Sequence, residues 1–177
     1  VISVSEAASA LHARGALKTR REDYSERILA RVEAMLGRPP PGDLADFYAA
    51  RITSVAAYDA IMPVWNSWVG WRTPIERELG QLLDVEALPV FRDKRGNLFG
   101  LDLSIETERP DVYFFERAGN FSKPAWAAGS SLGAFMLLLS DYDRAYQQNW
   151  PAGWEARIDP SIGACLRAPP PWRVGAK

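Results

Sequence analysis

The stretch "LPVFRDKRGNLFGLDLS" at residues 88–104 limits the fold of this chain more than any other. Two apolar runs flank "DKRGN". In the second run Phe99, Leu101 and Leu103 alternate with Leu98, Gly100 and Asp102, the two-residue period of a strand. A four- or five-residue connection containing Gly is a common hairpin loop, and Gly96 supplies the positive φ that closes one. The competing reading makes Asp93 and Asn97 ligands for a metal or a phosphate. A calcium loop needs oxygen donors at several regular positions and a distal Glu, whereas Lys94 and Arg95 occupy the middle here. A phosphate loop leads into a helix that opens with Lys and Ser or Thr, whereas the residues after Gly96 keep the period of a strand. The sequence predicts a hairpin, and with it an antiparallel sheet.

The flanking segments fill in the rest. "DVYFFE", 111–116, is apolar on both faces, as in a strand covered on both sides or central in its sheet. Ser130 or Ser131 then caps "LGAFMLLLSDYD", whose main stripe is Leu132, Phe135, Met136 and Leu139, widened by Leu137 and Leu138. Upstream, Tyr24, Ile28, Val32 and Met35 share a helical stripe that Gly37 and the following prolines stop. Asp43 is predicted to cap a second short helix carrying Leu44, Phe47, Tyr48 and Arg51 or Ile52. "TPIE" at 73–76 predicts another helix start, with Thr73 as N-cap, Pro74 in the first turn and Leu79, Leu82 and Leu83 facing inward. Trp65, Trp68 and Trp71 are read as rings filling a gap between helices and sheet rather than as a sugar or peptide site.

Helices, then a run of strands, then a packed helix, without strand–helix alternation, predict an α+β fold: a mainly antiparallel sheet with amphipathic helices packed on it. Residues 1–23 read as a loose N-terminal segment, 24–144 as the domain, and 145–177, rich in Pro, Trp and Arg, as a tail laid along its surface.

Composition bounds the function. The 177 residues suit one domain, and a net charge of −1 predicts neither a nucleic-acid binder nor an acidic disordered segment. Cys165 is alone, so an internal disulfide and a thiolate zinc site are excluded. Residues 1–17 have no basic start and carry Glu6 inside their apolar run, unlike a secretory signal. The longest uncharged run, Pro124 to Ser140, is interrupted by glycines and serines and falls short of a membrane span. The expected compartment is the cytoplasm. His12 is the only histidine, which excludes Ser-His-Asp and multi-histidine metal chemistry and leaves Cys165 without a neighbouring base. Carboxylates remain. Asp93, Asp102, Asp111 and Glu116 lie on or beside the strands, and paired carboxylates hold Mg²⁺ or run hydrolysis. In the plainer reading Asp102 binds loop backbone and the others solvate strand ends. The expectation is no enzyme, no metal and no cofactor, with a hydrolase using Asp93, Asp102 and Glu116 as the alternative.

"GNLFGLDLS", "DVYFFERAG" and "SSLGAFMLLL", in that order, resemble the core of the SUKH superfamily, and "PPPGDLADFYA" is similar to its early helix. The resemblance covers about residues 28–140. Arg117 stands where the family often has a histidine, and the stretch from Thr53 to Trp71 and the C-terminal tail have no counterpart in it. The family includes a fungal cell-wall synthesis regulator and many bacterial immunity proteins. The resemblance implies a binding protein that neutralises a cognate polymorphic or contact-dependent toxin, often a nuclease or deaminase, by occluding its active site. A regulatory or scaffold module with another partner is the alternative, and neither nucleic acid nor membrane is expected to be bound directly. Such a role needs an exposed, charge-complementary patch with aromatic anchors. From Asp102 to Glu116 the chain carries five acids against Arg109, a rim that would suit a basic groove and speed association, although solvated loop charges give the same pattern. The expected partner-binding residues are Asp102, Glu106, Glu108, Asp111 and Glu116, with Tyr113 and Trp126 as anchors.

Overall fold

The hairpin forms as the residues dictate. In a computed structural model describing residues 1–21, 23–55, 61–64 and 80–173 (61–63 and 143 by backbone alone), β4 (Ala87–Asp93) pairs antiparallel with β5 (Leu98–Asp102). Phe91 stands opposite Phe99 and Arg92 opposite Leu98. At the turn Gly96 takes φ 84°, and the Asp93 carboxylate accepts from the backbone N–H of Arg95 and Asn97 (both 2.9 Å) and from Asn97 Nδ2 (2.8 Å). Asn97 Oδ1 in turn accepts from the N–H of Arg117 (3.0 Å). The side chains that resembled ligands build the turn.

β3 (Ile61–Pro63), β6 (Val112–Phe115) and β7 (Trp126–Gly129) complete a five-stranded antiparallel meander in the order β3-β4-β5-β6-β7. β6, apolar on both faces, lies between two neighbours and is covered on both sides, as predicted. The register sets Phe91, Phe99, Phe114 and Trp126 across one face and Leu98, Tyr113, Phe115 and Ala127 across the other.

α5 (Leu132–Gln147) lies on the first face, where Phe135 meets Phe91 at 5.4 Å and Phe99 at 4.9 Å between ring centroids. α1 (Val4–Ala13), α2 (Ser25–Leu36) and α3 (Gly42–Ala49) join the same core through Leu11, Val32 and Phe47. The second face is covered by a helical turn at residues 80–83 (α4) and by the C-terminal residues around α6 (Glu155–Ile158). This is the expected α+β class. Among the described residues no helix is long and apolar enough to cross a membrane.

Several local expectations are corrected. Residues 1–23 are not a loose lead-in. Ser3 Oγ accepts from the Glu6 N–H (3.2 Å) while the Glu6 carboxylate accepts from the Ser3 N–H (2.8 Å), a capping box that starts α1. Val4, Ala7 and Leu11 of that helix are fully buried. α2 stops at Gly37, φ 66°, as expected. The helix after it ends earlier than its stripe suggests. Arg51 turns left-handed at φ 56°, and Ile52 opens β2 (Ile52–Val55), which pairs with β1 (Leu17–Thr19) in a separate ribbon.

Asp43 does not cap α3. Its carboxylate reaches across to the N-terminus of α5 and accepts from the Leu132 N–H (3.1 Å), while Gly42 N–H at the start of α3 is taken by Glu108 Oε2 (3.0 Å). Ser131 is the local cap of α5, accepting from the Ala134 N–H (3.1 Å). The predicted helix start at 73–76, Leu79, and Trp65, Trp68 and Trp71 lie outside the described residues.

The C-terminal residues are more than a surface strap. Trp154, Ile162 and Ala168 are buried in one core with Tyr113 and Phe115. Asp159 fixes the segment to the start of α5 by accepting from Ser130 N–H (2.7 Å) and Ser130 Oγ (2.6 Å).

Candidate binding site

The acids expected to form one rim are divided between the two ends of the sheet. β6 runs between Asp111 and Glu116, a separation of roughly 16 Å at the usual rise per residue. At the first end Asp102 is buried. It accepts from the N–H (3.0 Å) and Oγ (2.7 Å) of Ser104 and pairs with Arg167 Nη1 at 2.8 Å. Arg167 also donates to the carbonyls of Glu86 (3.1 Å) and Val85 (2.6 Å), so its fork clamps the C-terminal segment to the sheet. Tyr113 is fully buried beneath that segment, donating to Asp111 (3.0 Å) and accepting from the Arg167 N–H (3.2 Å). Asp111 is half-buried, and burial pushes its pKa up. Asp102 and Tyr113 are therefore removed from the expected patch, because their face of the sheet is the one the C-terminal segment covers. Glu108 is exposed but holds the start of α3, and Glu106 is exposed beside Ile105.

The carboxylates of the hydrolase alternative are not brought together. Asp93 and Glu116 sit at the turn end, and Asp102 sits at the far end of β5. Among the described residues no group of three or more His, Cys, Asp or Glu is placed to hold a metal ion. His12 is exposed in the last turn of α1. Burial, then the neighbouring Asp111, push the Cys165 pKa up, so the thiol stays protonated and is a poor nucleophile.

The turn end is different. There a groove of about 760 Å³ opens on the first face of the sheet, between Phe99, Phe114 and Trp126 below and Phe135, Tyr142 and Tyr146 of α5 above. The floor is a packed aromatic set, with Phe114 stacked on Trp126 at 4.6 Å and 19° and Phe99 5.1 Å from Phe114. Lys94 and Arg95 of the hairpin turn stand at one side, and Trp154 and Glu155 of the C-terminal segment form another wall.

α5 makes this shape because its sixteen residues carry its stripe beyond the core. Phe135 and Leu139 are buried, while Tyr142 and Tyr146, continuing the same spacing, are 46% and 81% exposed. Tyr142 lies 6.5 Å from Trp154, which packs edge-on against Trp150 at 5.4 Å. Glu155 is half-buried, its Oε2 enclosed without a hydrogen-bond partner. Burial pushes its pKa up against the pull of the backbone N–H groups of Glu155 and Gly153.

Of the residues expected from sequence, Trp126 lines this groove. Glu116 sits just outside it, in a shallow depression with Arg95, Asn97 and Arg117. Tyr142, Tyr146 and Glu155 were missed. The tyrosines had a signal, since 135, 139, 142 and 146 keep one spacing past the point where the stripe turns polar. Glu155 had none, because its place depends on how the C-terminal segment folds back. No family model, curated protein or solved structure matches the chain.

Proposed function

We propose that this chain is a SUKH-like immunity protein of the bacterial cytoplasm, which binds a cognate toxin domain and occludes its active site without catalysing a reaction itself. The observation that carries this reading is the open aromatic groove with two exposed tyrosines at its mouth. Solvent-facing tyrosines over a preformed concave surface are the usual anchors of a protein interface. The order of elements adds support: a helix, a Gly-Asn hairpin, an aromatic strand and a serine-capped helix form one continuous meander with its covering helix. A binding role also suits the separation of Asp93 and Glu116 from Asp102 at opposite ends of the sheet and the burial that keeps the Cys165 thiol protonated.

The test is a tagged pull-down from the source cells, with mass spectrometry of what co-purifies at near-equal stoichiometry. A toxin's C-terminal domain in that band is expected, and a partner unrelated to toxins would move the chain to a regulatory or scaffold role. Tyr142→Ala with Tyr146→Ala should weaken the complex about 100-fold, as loss of two anchors does. Glu106→Lys with Glu108→Lys should weaken it by less and mainly slow association. The opposite order would place the interface at the acidic end of the sheet.

A further inference from the structure

The meander gathers cations at the end of the sheet where the groove opens. The hairpin turn and the loop after β6 bring Arg92, Lys94, Arg95, Arg117 and Lys123 there, against Asp93 and Glu116. Asp93 spends both carboxylate oxygens inside the turn, on the N–H groups of Arg95 and Asn97 and on Asn97 Nδ2. In the facing wall, one Glu155 oxygen is closed off from solvent, and the backbone N–H groups of Glu155 and Gly153 engage its carboxylate. Glu116 opens onto the neighbouring depression, which it shares with Arg95 and Arg117, and Arg117 folds back over Gly96 of the turn. Lys94 and Arg95 are exposed at the side of the groove, and among the described residues no carboxylate pairs with either. The charge that a visitor meets at the groove is therefore positive.

An apolar floor beside a cationic rim fits an amphipathic segment, with an apolar side chain on the rings and carboxylates on the rim. Resting on the binding-protein reading, we infer that the groove receives an acidic segment of the partner protein, whose aromatic or large aliphatic side chain lies on the half-buried rings of Phe114 and Trp126 while flanking carboxylates meet Lys94, Arg95 and Arg117. A nucleic acid fits less well. Its phosphates need a cationic track along the strand, whereas Lys94 and Arg95 stand at one side of the groove and the facing wall is Trp154 and Glu155.

The probe is the acetylated, amidated peptide Glu-Asp-Phe-Asp-Glu, with Gln-Asn-Phe-Asn-Gln as the neutral control and Lys-Arg-Phe-Arg-Lys as the basic one. Each is titrated into the full chain at low salt, reading the Trp126 indole N–H signal by NMR after assignment with Trp126→Phe. The acidic peptide should shift that signal saturably in the millimolar range expected of a short segment. It should bind about tenfold tighter than the neutral peptide and weaken as salt rises. Lys94→Glu with Arg95→Glu should weaken the acidic peptide by at least about tenfold. The turn uses the backbone N–H of Arg95 and neither side chain, so this variant should melt with the parent. Lys18→Glu with Arg21→Glu makes the same change of charge at β1 and should leave the affinity within about twofold. Equal binding of the three peptides, unchanged affinity in Lys94→Glu with Arg95→Glu, tighter binding of a single-stranded thymidine octanucleotide, or no shift at all would each overturn the assignment. The two readings fail separately. A toxin partner that is lost on substitution of Tyr142 and Tyr146 but kept by Lys94→Glu with Arg95→Glu preserves the immunity reading and ends this one. Selective binding of the acidic peptide, with a cellular partner unrelated to toxins, does the reverse.

Discussion

At the scale of single residues, Asp43 carries the clearest electrostatic consequence. It is buried and caps α5 from another helix, and burial pushes its pKa up to about 6 against the Leu132 N–H and the Arg109 guanidinium 3.9 Å away. The unfolded side chain titrates near 3.8. Between those values the folded chain binds a proton that the unfolded chain has released, so this residue's contribution to stability grows as pH falls through about 6 and shrinks as pH rises. Asp43→Asn keeps an oxygen for Leu132 and cannot ionise. Urea midpoints should therefore shift in favour of the Asp43→Asn variant over the parent by about 2 kcal/mol between pH ~4.5 and pH ~7.5. A difference that stays constant over that range would refute the cause assigned to the shift. Asp43→Ala, which loses the acceptor, should cost about 1–2 kcal/mol even at the acid end.

At the scale of elements, the C-terminal segment is held by a few polar ties over an apolar contact, and Arg167 is the strongest of them. Its guanidinium satisfies the buried Asp102 and two backbone carbonyls at once. Arg167→Ala leaves Asp102 with Ser104 alone and should cost about 3 kcal/mol, with faster proteolysis near residues 159–173. Arg167→Lys should recover little, since one ammonium cannot serve three acceptors in a fork's geometry.

The elements also show where the sequence could be read. The hairpin, β6, α2 and the Ser131 cap follow from period and punctuation that are local. α1 was legible too, because Ser3 and Glu6 form a capping box ahead of Val4, Ala7 and Leu11. The ribbon of β1 and β2 was not. Its strands are three and four residues long, and the left-handed Arg51 that separates Ile52 from α3 is a conformation its residue type disfavours. Asp43 has the right residue type for a local cap, and only the docking of α3 beside α5 redirects it.

At the scale of the whole molecule, the candidate site was legible only in part, since sequence proximity is a poor guide to surface proximity in a meander. Residues 102–116 are close along the chain, but β6 carries them from one end of the sheet to the other, while Trp126 and Tyr142 converge from separate elements. α5 is seated from two sides: on the sheet Gly129 of β7 meets the backbone of Phe135 with no room for a Cβ between them, and along its side α5 packs against α1. Gly133 sits there with no room for a Cβ, which would collide with the backbone of Ser3 and Ile2. Gly133→Ala should push α1 away from α5 and cost about 3 kcal/mol by overpacking. Gly119, whose Cβ would meet nothing within 4 Å, provides the control, and Gly119→Ala should change stability by less than about 0.5 kcal/mol. Because α5 carries Tyr142 and Tyr146, Gly133→Ala should also weaken partner binding under conditions where the variant is still folded. Thermal melts and titration of the same two proteins check both halves. A destabilised Gly133→Ala with full affinity would mean that the groove is set by the sheet and the C-terminal segment rather than by the packing of α5 against α1.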